Sequence, residues 1–272
     1  MNAPAFEDNQ LPQGGVAHVV GSTGPELWRR TIPDVLKDTA GRVADREAAV
    51  FPEQDVRWTW AELEREVDAL AHGFLKLGLE KGDRVGIWSP NRYEWLLTQF
   101  ATARVGIILV TINPAYRVSE VEYVLNKVGC AALVTASHFK TSDYLGMLQE
   151  LAPELANCAP GALSAAKLPS LKTVIRAGAN ATPGMLNFDA VVDSGRDGDA
   201  AALDTISATL TPDEAINIQF TSGTTGAPKG ATLSHINIVN NGRFVVGAQN
   251  LDEDDRLCIP VPLYHCFGMV MG

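Results

Sequence analysis

The chain has 272 residues, 46% of them hydrophobic and 20% charged, an ordinary globular composition with length enough for a large core. Its 32 acids against 22 bases give a formal net charge of −10, which argues against a nucleic-acid backbone or an anionic membrane as the main partner; any phosphate must be bound locally. Cys130, Cys158, Cys258 and Cys266 show no C-x-x-C and no metal-ligand spacing, so neither a disulfide framework nor a zinc site is indicated.

The N-terminal MNAPAFEDNQLPQGG carries an acidic pair and no apolar core, so it reads as neither a signal peptide nor an Arg-rich transit peptide. No apolar run approaches the ~18 residues of a membrane span. Together with the unpaired cysteines, this leads to the expectation of a soluble, cytoplasmic protein. Further on, Trp58 and Trp60 alternate with polar residues as in a strand and are read as core. Thr59 and Glu62 then form a capping box that opens an amphipathic helix through Leu63, Val67, Leu70, Phe74 and Leu77, with Gly78 as its stop.

From Asp83 to Arg176 short β-rich runs, DRVGIW (83–88), GIILVTI (106–112), CAALVT (130–135) and LKTVIR (171–176), alternate with helical segments. In one of these, Val118, Val121, Tyr123, Val124, Leu125 and Val128 follow i, i+3, i+4 spacing, and Gly129 is placed to end it. Such alternation predicts βαβ units and a parallel sheet. Residues 157–169 and 177–214, rich in Ala, Gly, Pro, Ser and Asp, read as connections, the second bridging two lobes. The division expected is an N-terminal extension (1–29), a first α/β lobe (30–210) and the start of a second (211–272).

A buried strand at 215–220 runs into FTSGTTGAPKG (220–230). Gly223, Gly226 and Gly230 allow consecutive backbone N–H groups to face one concavity, an anion-binding nest. Thr221, Ser222, Thr224 and Thr225 add hydroxyl donors, Pro228 stiffens the segment, and Lys229 adds a mobile positive charge. Residues 216–251 contain no Asp or Glu but do contain Lys229 and Arg243, so carboxylates are missing where a polyphosphate would be repelled. A Walker A loop is excluded because Lys229 precedes its glycine, and no G-x-G-x-x-G is present. After Gly230 comes a return strand, with Ser234 as N-cap of the helix HINIVNNGRFVVGAQN. His235 at that helix start reads as structural, and Asp252, Glu253, Asp254 and Asp255 as a solvated turn.

FTSGTTGAPKG resembles the phosphate-binding signature of the adenylate-forming enzymes: acyl-CoA synthetases, luciferases and the adenylation domains of peptide synthetases. RVGIILVTINPAYR (104–117) resembles a second family segment, with Ile108 where a small residue is more usual, and PVPLYHCFGMVMG (260–272) a third. Combined with GATLSHINIVNN, the likeness is greatest to the medium-chain fatty acyl-CoA synthetase branch and covers roughly residues 30–272.

The resemblance implies an α/β fold, the N-terminal part of the large domain of these enzymes: a parallel sheet flanked by helices plus the start of a second sheet. It implies activation of a fatty or other carboxylic acid by ATP with Mg²⁺, giving an acyl-adenylate and then a coenzyme A thioester. Thr221, Ser222, Gly223, Thr224, Thr225, Gly226, Ala227, Pro228 and Lys229 would form the ATP phosphate site. Lys229 and His265 would be catalytic, His265 lying between acyl pocket and α-phosphate, with Tyr264, Phe267 and Met269 as pocket or core residues. Nothing indicates a nucleic-acid partner, and homodimer formation is left open. The family's ribose, Mg²⁺ and second-domain lysine residues have no counterpart here, so the chain is read as a fragment that does not turn over alone. An aryl-acid or amino-acid adenylating enzyme, or a catalytically silent nucleotide-binding protein, stays as an alternative.

Overall fold

Local capping and periodicity set most of the elements. A computed structural model describes residues 24–221 and 227–271. Helix α1 (Ile32–Arg42) starts at a capping box of Thr31 and Asp34, with Pro33 in its first turn. The hairpin of β1 (Glu47–Phe51) and β2 (Val56–Thr59) turns through Asp55, which is left-handed at φ 53°. The Thr59–Glu62 box opens α2 (Trp60–Lys76), and the flanking Trp58 and Trp60 pack partly buried on the core, Trp58 meeting Tyr93 edge-on at 5.5 Å.

The expected alternation follows as β3 (Arg84–Trp88), α3 (Tyr93–Arg104), β4 (Ile108–Thr111), α4 (Val118–Val128) and β5 (Ala132–Thr135). Gly129 ends α4 at φ 63°, where an L side chain is strained. A small clip of β6 (His138–Phe139) and β7 (Ser142–Asp143) leads to α5 (Tyr144–Leu151) and then β8 (Thr173–Arg176). Residues 177–214 are more than a connection. They hold β9 (Leu186–Asn187) and two helices, α6 (Phe188–Gly195) and α7 (Ala200–Ser207), N-capped by the side chains of Asn187 and Asp199. Two turns of helix are too few for periodicity to stand out from an Ala, Gly and Asp background. The chain continues as β10 (Ala215–Phe220), β11 (Gly230–Ser234), α8 (His235–Gln249) and α9 (Cys266–Met271).

Seven strands form one sheet in the order β11-β10-β4-β3-β5-β8-β9, parallel throughout except for β11. The strand expected to begin a second sheet instead pairs with β4, Asn217 opposite Leu109 and Gln219 opposite Thr111. Its apolar run looks the same whichever sheet it joins, so only the pairing decides. One face carries Val85, Ile87 and Leu109 against α1, α2, α3 and α6. The other carries Val110, Leu133 and Val174 against α4 and α5.

Helices α2 and α6 cross through glycines. A Cβ on Gly195 would stand 1.9 Å from Ala69 O, and one on Gly73 would stand 2.3 Å from Val191 O. Gly73 in mid-helix, intrinsically worse than Ala by about 1 kcal/mol, is thereby explained. Across the same layer the guanidinium of Arg104 in α3 reaches Asp68 of α2 at 2.8 Å and Asp204 of α7 at 2.7 Å.

The N-terminal strap that precedes α1 lies on α8. Asn240, buried, receives the Trp28 N–H on its Oδ1 (2.8 Å) and donates to the Trp28 carbonyl (2.9 Å). The Arg243 guanidinium sits over the Trp28 ring at 4.6 Å and donates to Glu26 O. His235 is fully buried, its Nδ1 accepting the Ile32 N–H at 3.2 Å while Nε2 has no partner among the described residues.

Two tests follow from this packing. Gly195→Ala should cost about 1–3 kcal/mol in a denaturant titration, since the added methyl overpacks a backbone contact; a loss below about 0.5 kcal/mol would show that the crossing has slack. His235 gives a pH dependence. Burial pulls its pKa down to about 4 from 6.5, against the opposing pull of Glu214 and Asp34. Between those values the unfolded chain binds the proton and the folded one does not, so stability is full above pH 6.5 and declines toward pH 4, by about 3 kcal/mol for this residue. His235→Gln should flatten that part of the profile, and an unchanged slope would remove His235 as its source.

Candidate functional site at the carboxyl edge of the sheet

Because β3, β4, β5, β8 and β10 are parallel, their carboxyl ends share one edge of the sheet. The chain leaving β3 turns to the face packed by α3, and the chain leaving β4 turns to the face packed by α4. Carboxyl ends at which the connections diverge are the usual ligand position in open α/β sheets. Three described segments lie at this edge: 112–117 after β4, the neck of the loop after β10 (221 and 227–229), and 259–271.

The first segment is fixed from below. Trp88, the last residue of β3, stacks on Tyr144 with centroids 3.8 Å apart and donates from Nε1 to Asn113 O at 3.2 Å. Tyr144 donates to Pro114 O at 2.6 Å. Burial, then Glu120, then Tyr264 raise the Tyr116 phenol above its ordinary value, so Tyr116 titrates in the field of the third segment.

The loop after β10 connects antiparallel strands, as its sequence predicts, and enters no helix directly. Ser222, Gly223, Thr224, Thr225 and Gly226 lie outside the described residues. Its neck is described. The Thr221 N–H donates to Lys229 O at 2.9 Å, and the Lys229 N–H donates to Thr221 Oγ1 at 3.2 Å. Ala227 and Lys229 are exposed, and Pro228 is half-buried. The Lys229 ammonium has no ion-pair partner among the described residues. Arg243, the other cation of the acid-free stretch, is engaged by the N-terminal strap, so Lys229 is the one facing outward from the neck.

Asn91, in the turn between β3 and α3, holds the third segment: its Nδ2 donates to Val261 O and its Oδ1 accepts the Leu263 N–H, at 2.9 and 2.8 Å. His265 then serves as the cap of α9. Its Nδ1 accepts the Phe267 N–H at 3.2 Å, and its carbonyl accepts from Gly268 and Met269. With Nδ1 an acceptor, the neutral ring carries its proton on Nε2, and the side chain is exposed. Cys266 Sγ lies 3.7 Å from the same Nδ1. Met269 is buried, its sulfur 3.3 Å from Asn217 Nδ2 and 3.5 Å from Gln219 Nε2, whereas Tyr264 is half-buried and Phe267 exposed. Of the three pocket candidates, Met269 is therefore a core residue on β10.

Lys229 and His265 thus flank the same strand end. The loop neck rests toward α4 through Phe220 and Tyr123, and the His265 segment rests on the opposite face through Met269. Among the described residues no hydrogen bond links the two. Sequence reading missed Asn91 and Tyr123: the first looked like an ordinary turn residue, the second like one more apolar-face residue of α4. Among the described residues no group of three His, Cys, Asp or Glu side chains is placed to hold a metal, and the acidic turn at 252–255 is met by Arg46, which reaches Asp254 and Glu253.

A family model described as AMP-binding enzyme matches residues 36–272. The Bos taurus protein named "Medium-chain acyl-CoA ligase ACSF2, mitochondrial" is 48% identical over 267 residues, covering 96% of this chain and 43% of its own length. Its Homo sapiens counterpart is 49% identical over 268 residues with the same coverages. This chain therefore spans less than half the length of the curated relatives it matches. Among solved structures, the anthranilate CoA ligase AuaEII in complex with anthranoyl-AMP superposes with a TM-score of 0.74 at 21% identity, over 89% of this chain and 42% of that one, a likeness of fold.

The cytoplasmic placement expected from the sequence is overturned by these relatives, whose names are mitochondrial. Unpaired cysteines report reducing surroundings, and that does not distinguish one reducing compartment from another. With the loop after β10 where a parallel sheet gathers ligands, and with the family model covering 36–272, the chain belongs to the AMP-binding enzyme family.

Proposed function

We propose that this chain provides the phosphate-binding part of a medium-chain acyl-CoA ligase, which activates a carboxylic acid with ATP and passes the acyl group to coenzyme A. The observation that carries the reading is Lys229: an exposed cation, free of carboxylate partners among the described residues, at the neck of a glycine- and hydroxyl-rich loop at the carboxyl edge of the sheet. The names of the relatives supply the substrate class.

A carboxylate is a poor acyl donor because its leaving group would be oxide. In the first step a carboxylate oxygen attacks the α-phosphorus of ATP, the bond to the bridging oxygen breaks, and pyrophosphate leaves with its electrons. In the second, the coenzyme A thiolate attacks the acyl carbon and AMP departs. Lys229 and the loop hydroxyls neutralise the charge that accumulates on the departing pyrophosphate. Mg²⁺ would arrive with the nucleotide, held by its phosphates and by oxygen ligands in addition to those described.

His265 donates from Nε2 to an oxygen of the carboxylate or the α-phosphate, a role supported by its cap geometry, in which Nδ1 accepts the Phe267 N–H. Lys229 and His265, on opposite sides of the β10 end, suit a substrate pair whose phosphates lie at one side and whose carboxylate lies at the other. Tyr264 and Phe267 remain as acyl-contacting candidates.

In the full-length enzyme, Lys229→Ala should slow ATP–pyrophosphate exchange by about 10²–10³ with little change in carboxylate affinity; an unchanged exchange rate rejects the assignment. His265→Asn is the sharper test of the histidine, since an amide oxygen can keep the cap while the Nε2 donor is lost. Its adenylation rate should fall about tenfold or more at constant thermal stability, and full activity in this variant would leave His265 as a helix cap only.

A further inference from the structure

The peptide that joins Pro228 to Lys229 is held at both ends. A peptide unit is planar, with its C=O and N–H pointing in opposite directions. Here the carbonyl, Pro228 O, accepts a hydrogen bond from the Tyr123 hydroxyl at 3.2 Å, and the N–H, on Lys229, donates to Thr221 Oγ1 at 3.2 Å. Tyr123 also touches the other stem of the loop, its ring meeting Phe220 edge-on with centroids 6.5 Å apart. The helix that presents Tyr123 is firmly seated. Val121, Val124 and Leu125 of α4 are buried in the core, the Arg117 N–H donates to the Glu120 carboxylate at 2.8 Å, and Gly129 closes the other end.

From this we propose that Tyr123 is a positioning residue of the phosphate loop, locking the Pro228–Lys229 peptide so that its carbonyl faces α4 and away from bound anion. The inference rests on reading the loop as a phosphate site. Proline leaves this peptide no second conformational anchor of its own, because residue 228 lacks an N–H and its carbonyl is its single backbone polar group. Turned over, the same unit would present a carbonyl oxygen to the phosphates in place of its N–H edge, and the Lys229 backbone that follows would be re-aimed. Tyr123 acts through Pro228.

Tyr123→Phe keeps the ring against Phe220 and removes only the hydroxyl donor. Amide hydrogen exchange at Lys229 in the unliganded full-length enzyme and its variant reads the lock without any ligand, and ATP titration of the same two proteins reads its consequence. The expected result is Lys229 exchange faster by about two- to tenfold, the range one neutral hydrogen bond supports, with ATP binding weakened by a similar factor. The thermal midpoint should stay within about 2 °C, and strand β5 should exchange as before. Thr221→Val, which releases the other end of the same peptide, should give the same local signature. Unchanged Lys229 exchange in Tyr123→Phe overturns the proposal, as does exchange that rises equally throughout the sheet, which would mark a general loss of stability. Equal ATP affinity despite faster exchange overturns the role in anion binding. If exchange at Lys229 rises and neither protein binds ATP, the lock stands and the reading of the loop as a phosphate site falls.

Discussion

The parallel pairing of β10 with β4 is the contact on which the candidate site depends. Three residue pairs, from Asn217 with Leu109 to Gln219 with Thr111, fix the strand's direction and register. Once they form, Phe220 ends level with the carboxyl ends of β3 and β4, and the loop neck, Thr221 and Ala227 to Lys229, lies at the same edge as 112–117. Pairing in the opposite sense would send the loop to the amino edge, away from Asn91, Tyr116 and Tyr123. A bulge at the start of β10, where the register with β11 shifts between Ala215 and Asn217, assists this placement. It lets Ile216 join the core on the α1–α3 face while Asn217 turns to the same side and meets Met269. One strand thereby carries the glycine- and hydroxyl-rich loop at its end and seats the histidine segment on its side.

The unit β10–loop–β11–α8 is tied down at points remote from this edge. Trp28 and Asn240 exchange two hydrogen bonds, His235 accepts the first amide of α1, and Ser234 caps α8. These contacts matter because β11 is an edge strand with a free side and an exposed stretch at 230–232. An edge held only by its one partner would transmit its mobility to the loop. The strap and the buried histidine remove that freedom from the far end, and Tyr123 removes it from the near end.

Electrostatics sets the remaining constraint. In a chain of net charge −10, a phosphate site is workable only where carboxylates are kept away. The acid-free stretch from 216 to 251 does this along the chain, and of its two cations Arg243 is engaged on Trp28 while Lys229 is left exposed. Screening in physiological salt acts over about 8 Å, so acids on the far faces of α2 and α6 contribute little at the loop. A single unpaired lysine can therefore define the local sign of the potential.

Much of this was written in the linear order of residues. Strands at 83–88, 106–112, 130–135 and 171–176 were legible because short β-rich runs between helical segments carry their own periodicity, and Thr59, Gly129 and Ser234 marked helix ends by local chemistry that needs no neighbours. The loop after β10 was legible for the same reason: glycines, hydroxyls and a lysine act within eleven residues. What the sequence could not decide was everything that depends on partners far along the chain. The apolar run at 215–220 suits any sheet, and only its hydrogen bonds to β4 made it part of the first. Gly73 and Gly195 looked like helix defects until two backbones crossed there. Asn91 and Tyr123 had no local signature, because a side chain that clamps residues about 170 or 105 positions away is defined by where those residues arrive. Local interactions are encoded residue by residue, whereas register, close approach and the partners of a polar side chain come into being only when the chain folds.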